Sequence, residues 1–371
     1  SELRCKVVGE GGNLGFTQLG RIEYAQAGGR INTDFIDNSA GVDCSDHEVN
    51  IKILLNQVMR AGQLSSENRN RLLADMTDEV AGLVLRNNYQ QSQTISLMEV
   101  LTGPRLGAKQ QLITALENEG ILDRDLENLP HYEELSRRRA AGLGLYRPEL
   151  SVLFSYSKIM LYRQLLDSDV PEDTWLSGEL ERYFPKPIQQ KYAAYMDGHR
   201  LKREIIATQV TNSLINRMGA SFTLRKHEDT GASAAEVARA FTIAREIFAA
   251  REFWGKIEAL DNRVESKLQI DATMAMWNLL RQTIRWLLKL PGPQLEIQAV
   301  TDRLAPGLKV LERKVRRSLN EVEREQVLEF AGPLIAGGMP KALANRAAIL
   351  HLLYPALDLS LIHISEPTRL C

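Results

Sequence analysis

The spacing of hydrophobic positions along the chain changes near residue 62. Before that point, a short apolar run at residues 5–8 ends at the glycine-rich segment 9–15, and a helical pattern follows over residues 17–26. This order predicts a strand, a glycine-rich loop and a helix. A second apolar patch at residues 31–36 then precedes a polar loop that begins at Asp37.

The polar loop leads into a second predicted helix. Ser45 followed three residues later by Glu48 is the pattern of a capping box, so we expect the helix to begin at Ser45. A dense apolar run follows from Val49 to Val58 and ends near Gly62. The segment 1–62 therefore has the strand and helix order of an α/β domain.

After residue 62 the apolar positions recur at helical spacing, and no strand-like run of comparable strength interrupts them. Prolines near predicted starts and glycines near predicted ends, such as Pro148 and Gly219, support this interpretation. The predicted helices span residues 65–87, 89–101, 104–119, 148–166, 187–199, 201–218, 234–250, 264–289, 301–318 and 321–331. The expected architecture is mixed: the C-terminal remnant of an α/β domain over residues 1–62, then a large all-α region over 63–358.

Both ends of the sequence suggest a piece of something longer. A parallel sheet needs several strands, and residues 1–62 supply one or two, so we expect the rest of that sheet upstream. The tail at residues 359–371 has no periodic relation to the preceding helices and resembles translated read-through of a sequencing adapter. We therefore expect this tail to be non-native and exclude His363 and Cys371 from function.

Composition narrows the possible function classes. Hydrophobic residues make up 44% and charged residues 25%, which is ordinary for a globular protein. The 46 Lys and Arg nearly balance the 47 Asp and Glu, so no global basic field favours nucleic acid or an anionic membrane. We therefore expect neither nucleic acid nor a membrane as a partner. Three cysteines, with no CxxC pair, fit a reducing compartment and predict a cytoplasmic protein.

The glycine-rich segment 9–15 is the first candidate for chemistry. Glycines after a strand let the backbone approach a ligand closely, and the amide of Asn13 could hydrogen-bond a ribose hydroxyl. The spacing is not that of the pyrophosphate-binding GxGxxG turn, so an ordinary tight turn stays an alternative.

The polar loop at residues 37–48 is the second candidate. It precedes a helix whose free amide groups favour a carboxylate, although ordinary helix capping by Ser45 and Glu48 explains the same residues. Cys44 and His47 lie three residues apart, but no further Cys or His nearby supports a metal site or a catalytic pair.

Together the two segments resemble the end of the coenzyme domain of glutamate dehydrogenases. In that family a Glu-Gly-Ala-Asn strand end is followed by an Asn-Ala-Gly-Gly-Val loop and a serine before the next helix. This chain has Gly-Glu-Gly-Gly-Asn at residues 9–13, Asn-Ser-Ala-Gly-Val at 38–42, and Ser45. The motif sequences most resemble those of the large NAD-specific bacterial enzymes, whose coenzyme domain precedes a long helical region. The segment at residues 146–153 gives softer support.

The resemblance implies a fold, a reaction and roles for single residues. It implies that residues 1–62 are the end of a Rossmann-like coenzyme domain, and that the parent protein converts L-glutamate and NAD to 2-oxoglutarate, ammonium and NADH. Gly11 and Gly12 would give backbone clearance, Asn13 would contact the nicotinamide-side ribose, and Asn38 would lie near the nicotinamide. Ser45 would help to bind the side-chain carboxylate of the substrate. Ser39-Ala40 replaces the usual Ala-Gly and could alter the loop slightly.

The lysine and the aspartate that carry the family's proton chemistry match no segment of this chain, so the chain alone should be inactive and contain no catalytic residue. The size of the helical region suggests a homo-oligomer or allosteric control. Two alternatives stay open: a helical scaffold or regulatory interaction module without catalysis, and another amino-acid dehydrogenase.

Overall fold

Helices make up nearly all of the regular structure in a computed structural model, which describes residues 2–290, 295–355 and 357 except for the side chain of Arg316. The tail expected to be non-native, residues 359–371, lies outside the described residues. The chain divides into two compact units, Ser1–Arg225 and Lys226–Cys371, and the division falls within a helix.

The first unit contains the two strands and most of the helices. The strands are β1 (Val7–Val8) and β2 (Arg30–Ile31). The helices are α1 (Gln18–Gln26), α2 (Asp34–Asp37), α3 (Ser39–Arg60), α4 (Ser66–Asp75), α5 (Thr77–Val100), α6 (Leu106–Asn118), α7 (Tyr132–Ala140), α8 (Arg147–Leu166), α9 (Ser177–Tyr183), α10 (Lys186–Met196), α11 (Lys202–Met218) and α12 (Phe222–Thr230), the last of which crosses the division.

The second unit is helical throughout its described residues. Its helices are α13 (Ala234–Ile247), α14 (Ala250–Glu258), α15 (Ser266–Leu287), α16 (Ile297–Lys314), α17 (Glu321–Ala336) and α18 (Lys341–Ile349). Short 3₁₀ helices occupy Val170–Glu172 in the first unit, and Val315–Arg317 and Leu350–Leu352 in the second. None of the helices in the described part of the chain is long and apolar enough to cross a lipid bilayer.

The expected remnant of a Rossmann-like α/β domain was wrong. Within the described residues, the β-structure is one parallel pair in which Val7 faces Arg30 and Val8 faces Ile31. A doubly wound sheet consists of several strands with both faces buried, whereas the side chain of Val7 is 66% exposed. The apolar patch at residues 31–36 misled the prediction, because after Ile31 the chain turns into α2. The described chain is mostly all-α.

Helix α8 is the central helix of the first unit. It packs against α1, α5, α6 and α11. Glu149 at its third position accepts a hydrogen bond from the backbone N–H of Tyr146, which caps the first turn, and Pro148 lies in the same turn. Leu150, Leu153 and Phe154 are fully buried, so this helix carries much of the hydrophobic core.

Helix α13 has the corresponding position in the second unit. It packs against α14, α15 and α16. Ser233 and Glu236 form a capping box at its start, and Phe241 and Ile243 are fully buried. Each helix predicted between residues 104 and 331 overlaps a helix of the structure, whereas the predicted helix 65–87 is divided at Met76 into α4 and α5.

Leu150→Ala should lower the free energy of unfolding of the first unit by about 2–5 kcal/mol, because it leaves a cavity at a fully buried position. Leu85→Ala is the matched control, since Leu85 lies in the same unit and is 66% exposed. Urea denaturation followed by circular dichroism measures both variants. Equal effects of the two substitutions would contradict the assignment of Leu150 to the core.

Candidate functional site

A buried ion pair closes the glycine-rich loop between β1 and α1. Arg21 donates from Nε to Glu10 Oε2 at 2.5 Å and from Nη2 to Glu10 Oε1 at 3.0 Å. The backbone N–H of Phe16 donates to the same Glu10 Oε1 at 3.1 Å. Because Glu10 lies at the start of the loop and Phe16 at its end, one carboxylate holds both ends together.

A second carboxylate connects α2 to this loop. Asp34 Oδ1 lies 3.2 Å from Arg21 Nη2, and Asp34 Oδ2 accepts a hydrogen bond from the backbone N–H of Leu14 at 2.9 Å. Leu14 has a φ of 62°, a conformation that is unfavourable for leucine and is maintained by this bond. Burial lowers the pKa of Arg21, but the hydrogen bond and charge of Glu10 and the charge of Asp34 outweigh it, and the net pKa is raised.

A third connection reaches from α8. Asp37 accepts hydrogen bonds from the backbone N–H of Glu10 at 3.0 Å and from Asn32 Nδ2 at 2.8 Å. Asn32 Oδ1 in turn accepts two hydrogen bonds from the guanidinium of Arg147, at 3.1 and 2.9 Å. Arg147 also pairs with Glu99 on α5 at 3.0 Å. The loop position is thus coupled to two long helices.

The structure brings together Asn13 and Asn38, which come from the two predicted segments. Asn38 Nδ2 donates to Asn13 Oδ1 at 2.8 Å at the protein surface. A side chain at position 41 would place its Cβ 3.0 Å from Asn38 Oδ1, so Gly41 provides the space for this amide. Gly11 and Gly12 are exposed, and a Cβ at either position would meet no atom within 4 Å. The loop backbone is therefore open to solvent beside the amide pair.

Ser45 does not begin a helix. Helix α3 begins at Ser39, directly after Asn38, so the predicted capping box at Ser45 and Glu48 was wrong. Ser45 is exposed on α3, and its hydroxyl donates to the carbonyl of Gly41 at 3.4 Å. Glu48 pairs with Lys52 instead. The small residues at positions 39–41, which the sequence analysis assigned to the loop, form the first turn of α3.

Polar side chains of α5 hold the junction between α2 and α3, and sequence reasoning missed them. Asn88 Nδ2 donates to the carbonyl of Ile36 at 2.8 Å and to Ser39 Oγ at 2.9 Å. Gln91 Nε2 donates to the same Ser39 Oγ at 3.1 Å. These bonds fix the residues on both sides of Asn38.

A lysine of α8, Lys158, lies near Gln91 of α5 and Asp43 of α3. Lys158 Nζ donates to Gln91 Oε1 at 3.4 Å and lies 4.5 Å from the ring centroid of Phe154. Burial lowers the pKa of Lys158 to about 7, although the negative charge of Asp43 opposes the shift. Burial also raises the pKa of Asp43, against the hydrogen bond that Asn87 donates to it at 2.8 Å.

His47 is buried one turn after Asp43 on α3, whereas Cys44 is exposed. The His47 ring stacks on Tyr183 with centroids 4.4 Å apart, and neither ring nitrogen has a hydrogen-bond partner among the described residues. Burial lowers the pKa of His47. Tyr183 donates to Asp46 at 2.7 Å and accepts from Asn50 at 2.9 Å. In the part of the chain that is described, no cluster of three or more His, Cys, Asp and Glu could hold a metal ion.

Two family models match the chain, one over its C-terminal part and one over its N-terminal part. "Glutamate dehydrogenase, C-terminal" matches residues 142–370, and "Bacterial NAD-glutamate dehydrogenase, catalytic domain" matches residues 1–98. The first match covers more than half of the chain. The chain therefore belongs to the glutamate dehydrogenase family.

Curated relatives agree with this assignment. The chain is 46% identical over 358 residues to the NAD-specific glutamate dehydrogenase of Halomonas elongata and 45% identical over 358 residues to that of Pseudomonas aeruginosa. It is 36% identical over 361 residues to that of Mycobacterium tuberculosis. These matches cover 96–97% of this chain but 22% of each relative, so the chain spans about a fifth of their length.

Arg21→Met should destabilise the first unit by about 3–5 kcal/mol, because it leaves the buried carboxylates of Glu10 and Asp34 without their cation. Arg30→Met is the control, since Arg30 is exposed in the same unit. Denaturation in urea compares the two variants. A change below about 1 kcal/mol for Arg21→Met, of the size expected for a surface pair, would disprove the structural role of this ion pair.

Lys158→Met should remove part of the pH dependence of stability. Because the pKa of Lys158 in the folded protein is about 7 instead of 10.5, the unfolded chain binds more protons between these values. The destabilisation is therefore complete below pH 7 and disappears as the pH rises towards 10.5. Wild type should gain more stability than Lys158→Met between about pH 7 and 9, by at most about 1.4 kcal/mol per pH unit.

Unfolding free energies of the wild type and Lys158→Met at several pH values test this expectation. Lys191→Met is the control, because Lys191 is exposed in the same unit. Parallel pH profiles for wild type and Lys158→Met would show that the ammonium of Lys158 is well solvated.

Proposed function

We propose that these residues belong to a larger enzyme that catalyses the NAD-dependent oxidative deamination of L-glutamate to 2-oxoglutarate and ammonium. The family membership and the names of three relatives support this reaction. In this proposal residues 1–62 are the end of the coenzyme-binding domain and residues 63–358 form the helical C-terminal region. The enzyme would be a cytoplasmic homo-oligomer.

The observation that carries the coenzyme assignment is the hydrogen bond between Asn38 and Asn13. The bond uses Nδ2 of Asn38 and Oδ1 of Asn13. Within the described residues, Asn38 Oδ1 and Asn13 Nδ2 have no protein partner. The amide pair therefore keeps one acceptor and one donor available at the surface, and these suit a carboxamide or a ribose hydroxyl. We assign Asn38 to the nicotinamide and Asn13 to the adjacent ribose.

The exposed backbone at Gly11 and Gly12 fits this arrangement. Open space faces both glycines, so a coenzyme can approach the peptide groups without displacing a side chain. The buried network of Glu10, Arg21 and Asp34 keeps this backbone in place before the coenzyme binds. A preorganised loop loses little conformational freedom on binding.

We assign Ser45 to the side-chain carboxylate of glutamate. Its hydroxyl is exposed on α3, and its bond to the carbonyl of Gly41 is long at 3.4 Å, so it can reorient towards a substrate. Ser45 lies inside α3 and not at the N-terminus of a helix, so the free amide groups of a first turn do not assist this hydroxyl. The lysine and aspartate expected for proton transfer match no segment of this chain, and we infer that the chain alone does not turn over.

In the full-length enzyme, Ser45→Ala should raise the KM for glutamate about tenfold and change the KM for NAD little, because it removes a hydrogen bond to a charged group. Asn13→Ala should do the reverse. Initial rates of NADH formation, with each substrate varied in turn, measure both constants.

Two controls accompany these variants. Cys44→Ala changes an exposed neighbour on α3, and Asn56→Ala removes an exposed amide further along the same helix. Both should leave the two KM values unchanged, and the 371-residue chain alone should form no NADH. Equal effects of Ser45→Ala and Asn13→Ala on both substrates would contradict the residue assignments. A folded full-length protein without glutamate-dependent NADH formation would contradict the proposed function.

A further inference from the structure

The second unit contains an open cavity of about 660 Å³ that includes none of the residues assigned above to the coenzyme or to glutamate. It is lined by the end of α13, by α14 and by parts of α16 and α18. Its size falls within the usual range of small-molecule sites, which is about 300–1,000 Å³. All the residues that line it belong to the same compact unit.

Part of the cavity wall is apolar. Ile247, Phe248 and Ile349 lie beneath it but are almost fully buried, so the apolar surface that a ligand can reach comes from Ala249, Ala305 and Ala342. Ala249, between α13 and α14, has a φ of 46°, which is unusual for alanine and turns the chain around the cavity. A ligand with an apolar body would therefore find a complementary surface.

The acidic residues of the wall already have cationic partners. Arg346 pairs with Glu312 at 2.6 Å and also donates to the carbonyl of Phe248 at 2.7 Å. Lys256 pairs with Glu252 at 2.6 Å. Glu246 pairs with Arg245 at 2.7 Å. The three carboxylates are thus neutralised without any ligand.

Two cations of the wall lack such a partner. Lys309 and Arg313 lie one turn apart on α16, and no carboxylate among the described residues pairs with either. Both side chains are exposed, and Arg313 donates from Nε to the carbonyl of Lys309 at 3.3 Å. The pKa of Glu252 is lowered, first by its hydrogen bond and charge interaction with Lys256 and further by the charges of Arg346 and Lys309. The charge of Lys309 therefore acts on Glu252, which lies on another helix of the cavity wall.

We propose that this cavity binds a small organic anion, with its apolar body against Ala249, Ala305 and Ala342 and its phosphate or carboxylate group between Lys309 and Arg313. A guanidinium and an ammonium side by side suit both kinds of oxyanion. An ordinary solvated helix face would explain the two cations. It would not explain why they border a cavity of this size in which every acidic group is paired.

The first test measures the dye 8-anilinonaphthalene-1-sulfonate, an aromatic body with one anionic group, by fluorescence titration of the 371-residue chain. Lys309→Glu/Arg313→Glu should raise the Kd of the dye at least tenfold. Arg303→Glu/Lys314→Glu is the matched control, because it makes the same charge change at exposed positions of α16 outside the cavity. The control should change the Kd less than threefold. Equal effects of the two double variants would overturn the proposal.

Two further measurements separate the charge from the cavity. N-phenyl-1-naphthylamine has the same aromatic body without the sulfonate, and its binding should not respond to Lys309→Glu/Arg313→Glu. Ala342→Phe partly fills the cavity and should weaken the binding of both dyes. Retention of wild-type dye affinity in a folded Ala342→Phe variant would overturn the assignment to this cavity.

Competition identifies the anionic group. Adenosine monophosphate and phenylacetate each combine a ring with an anion, and displacement of the charge-sensitive dye by one of them assigns a phosphate or a carboxylate to the site. Adenosine, which lacks the phosphate, should displace the dye at least tenfold less well than its monophosphate. If neither anion displaces the dye at millimolar concentration, the proposal fails.

Discussion

The buried contact of Arg21 with Glu10 and Asp34 is the interaction on which the candidate site depends. Two carboxylates removed from water are unfavourable without a cation, and one guanidinium satisfies both. In return, Glu10 Oε1 also accepts the backbone N–H of Phe16 and Asp34 Oδ2 accepts that of Leu14, which fixes the loop at two points. The carboxylates that compensate the charge of Arg21 therefore also set the geometry of the loop. The exposed amide of Asn13 gains its defined position from charges that a ligand would never contact.

The helices after residue 62 take part in the same arrangement. Arg147 on α8 reaches the loop through Asn32 and Asp37, and Asn88 on α5 holds the residues around Asn38. A boundary near residue 62 follows the change of sequence pattern, whereas the hydrogen bonds cross it many times. The helical region thus acts as the support of the proposed coenzyme loop, whatever further role it has in the larger enzyme.

Sequence reasoning predicted the long helices, because a buried stripe at helical spacing is visible without knowledge of its partner. It missed the short helices α7, α9, α12, α14 and α18. It failed where a local pattern had two solutions. The apolar residues around Ile31 and Ile36 suit a strand as well as the short helix α2, and Ser45 with Glu48 has the spacing of a cap but lies inside α3. The roles of Asn88 and Gln91 could not be predicted, since polar residues on a helix usually face solvent and only the packing of α5 on α3 directs them inward. The family resemblance gave Asn13 and Asn38 separate roles near the nicotinamide end of the coenzyme, but the hydrogen bond between their side chains was not predicted.

The two compact units differ in how far their charged side chains are paired within the protein. In the first unit, the buried charges at the loop are matched within the protein, so the loop keeps its shape without a ligand. In the second unit, the acidic groups of the cavity are matched but Lys309 and Arg313 are not. Both cations are exposed, so water and salt weaken their repulsion, and an anion placed between them would still gain an attraction to each. Buried matched charge therefore fixes the loop of the first unit, whereas the exposed unpaired cations of the second unit provide the attraction on which the proposed anion binding depends.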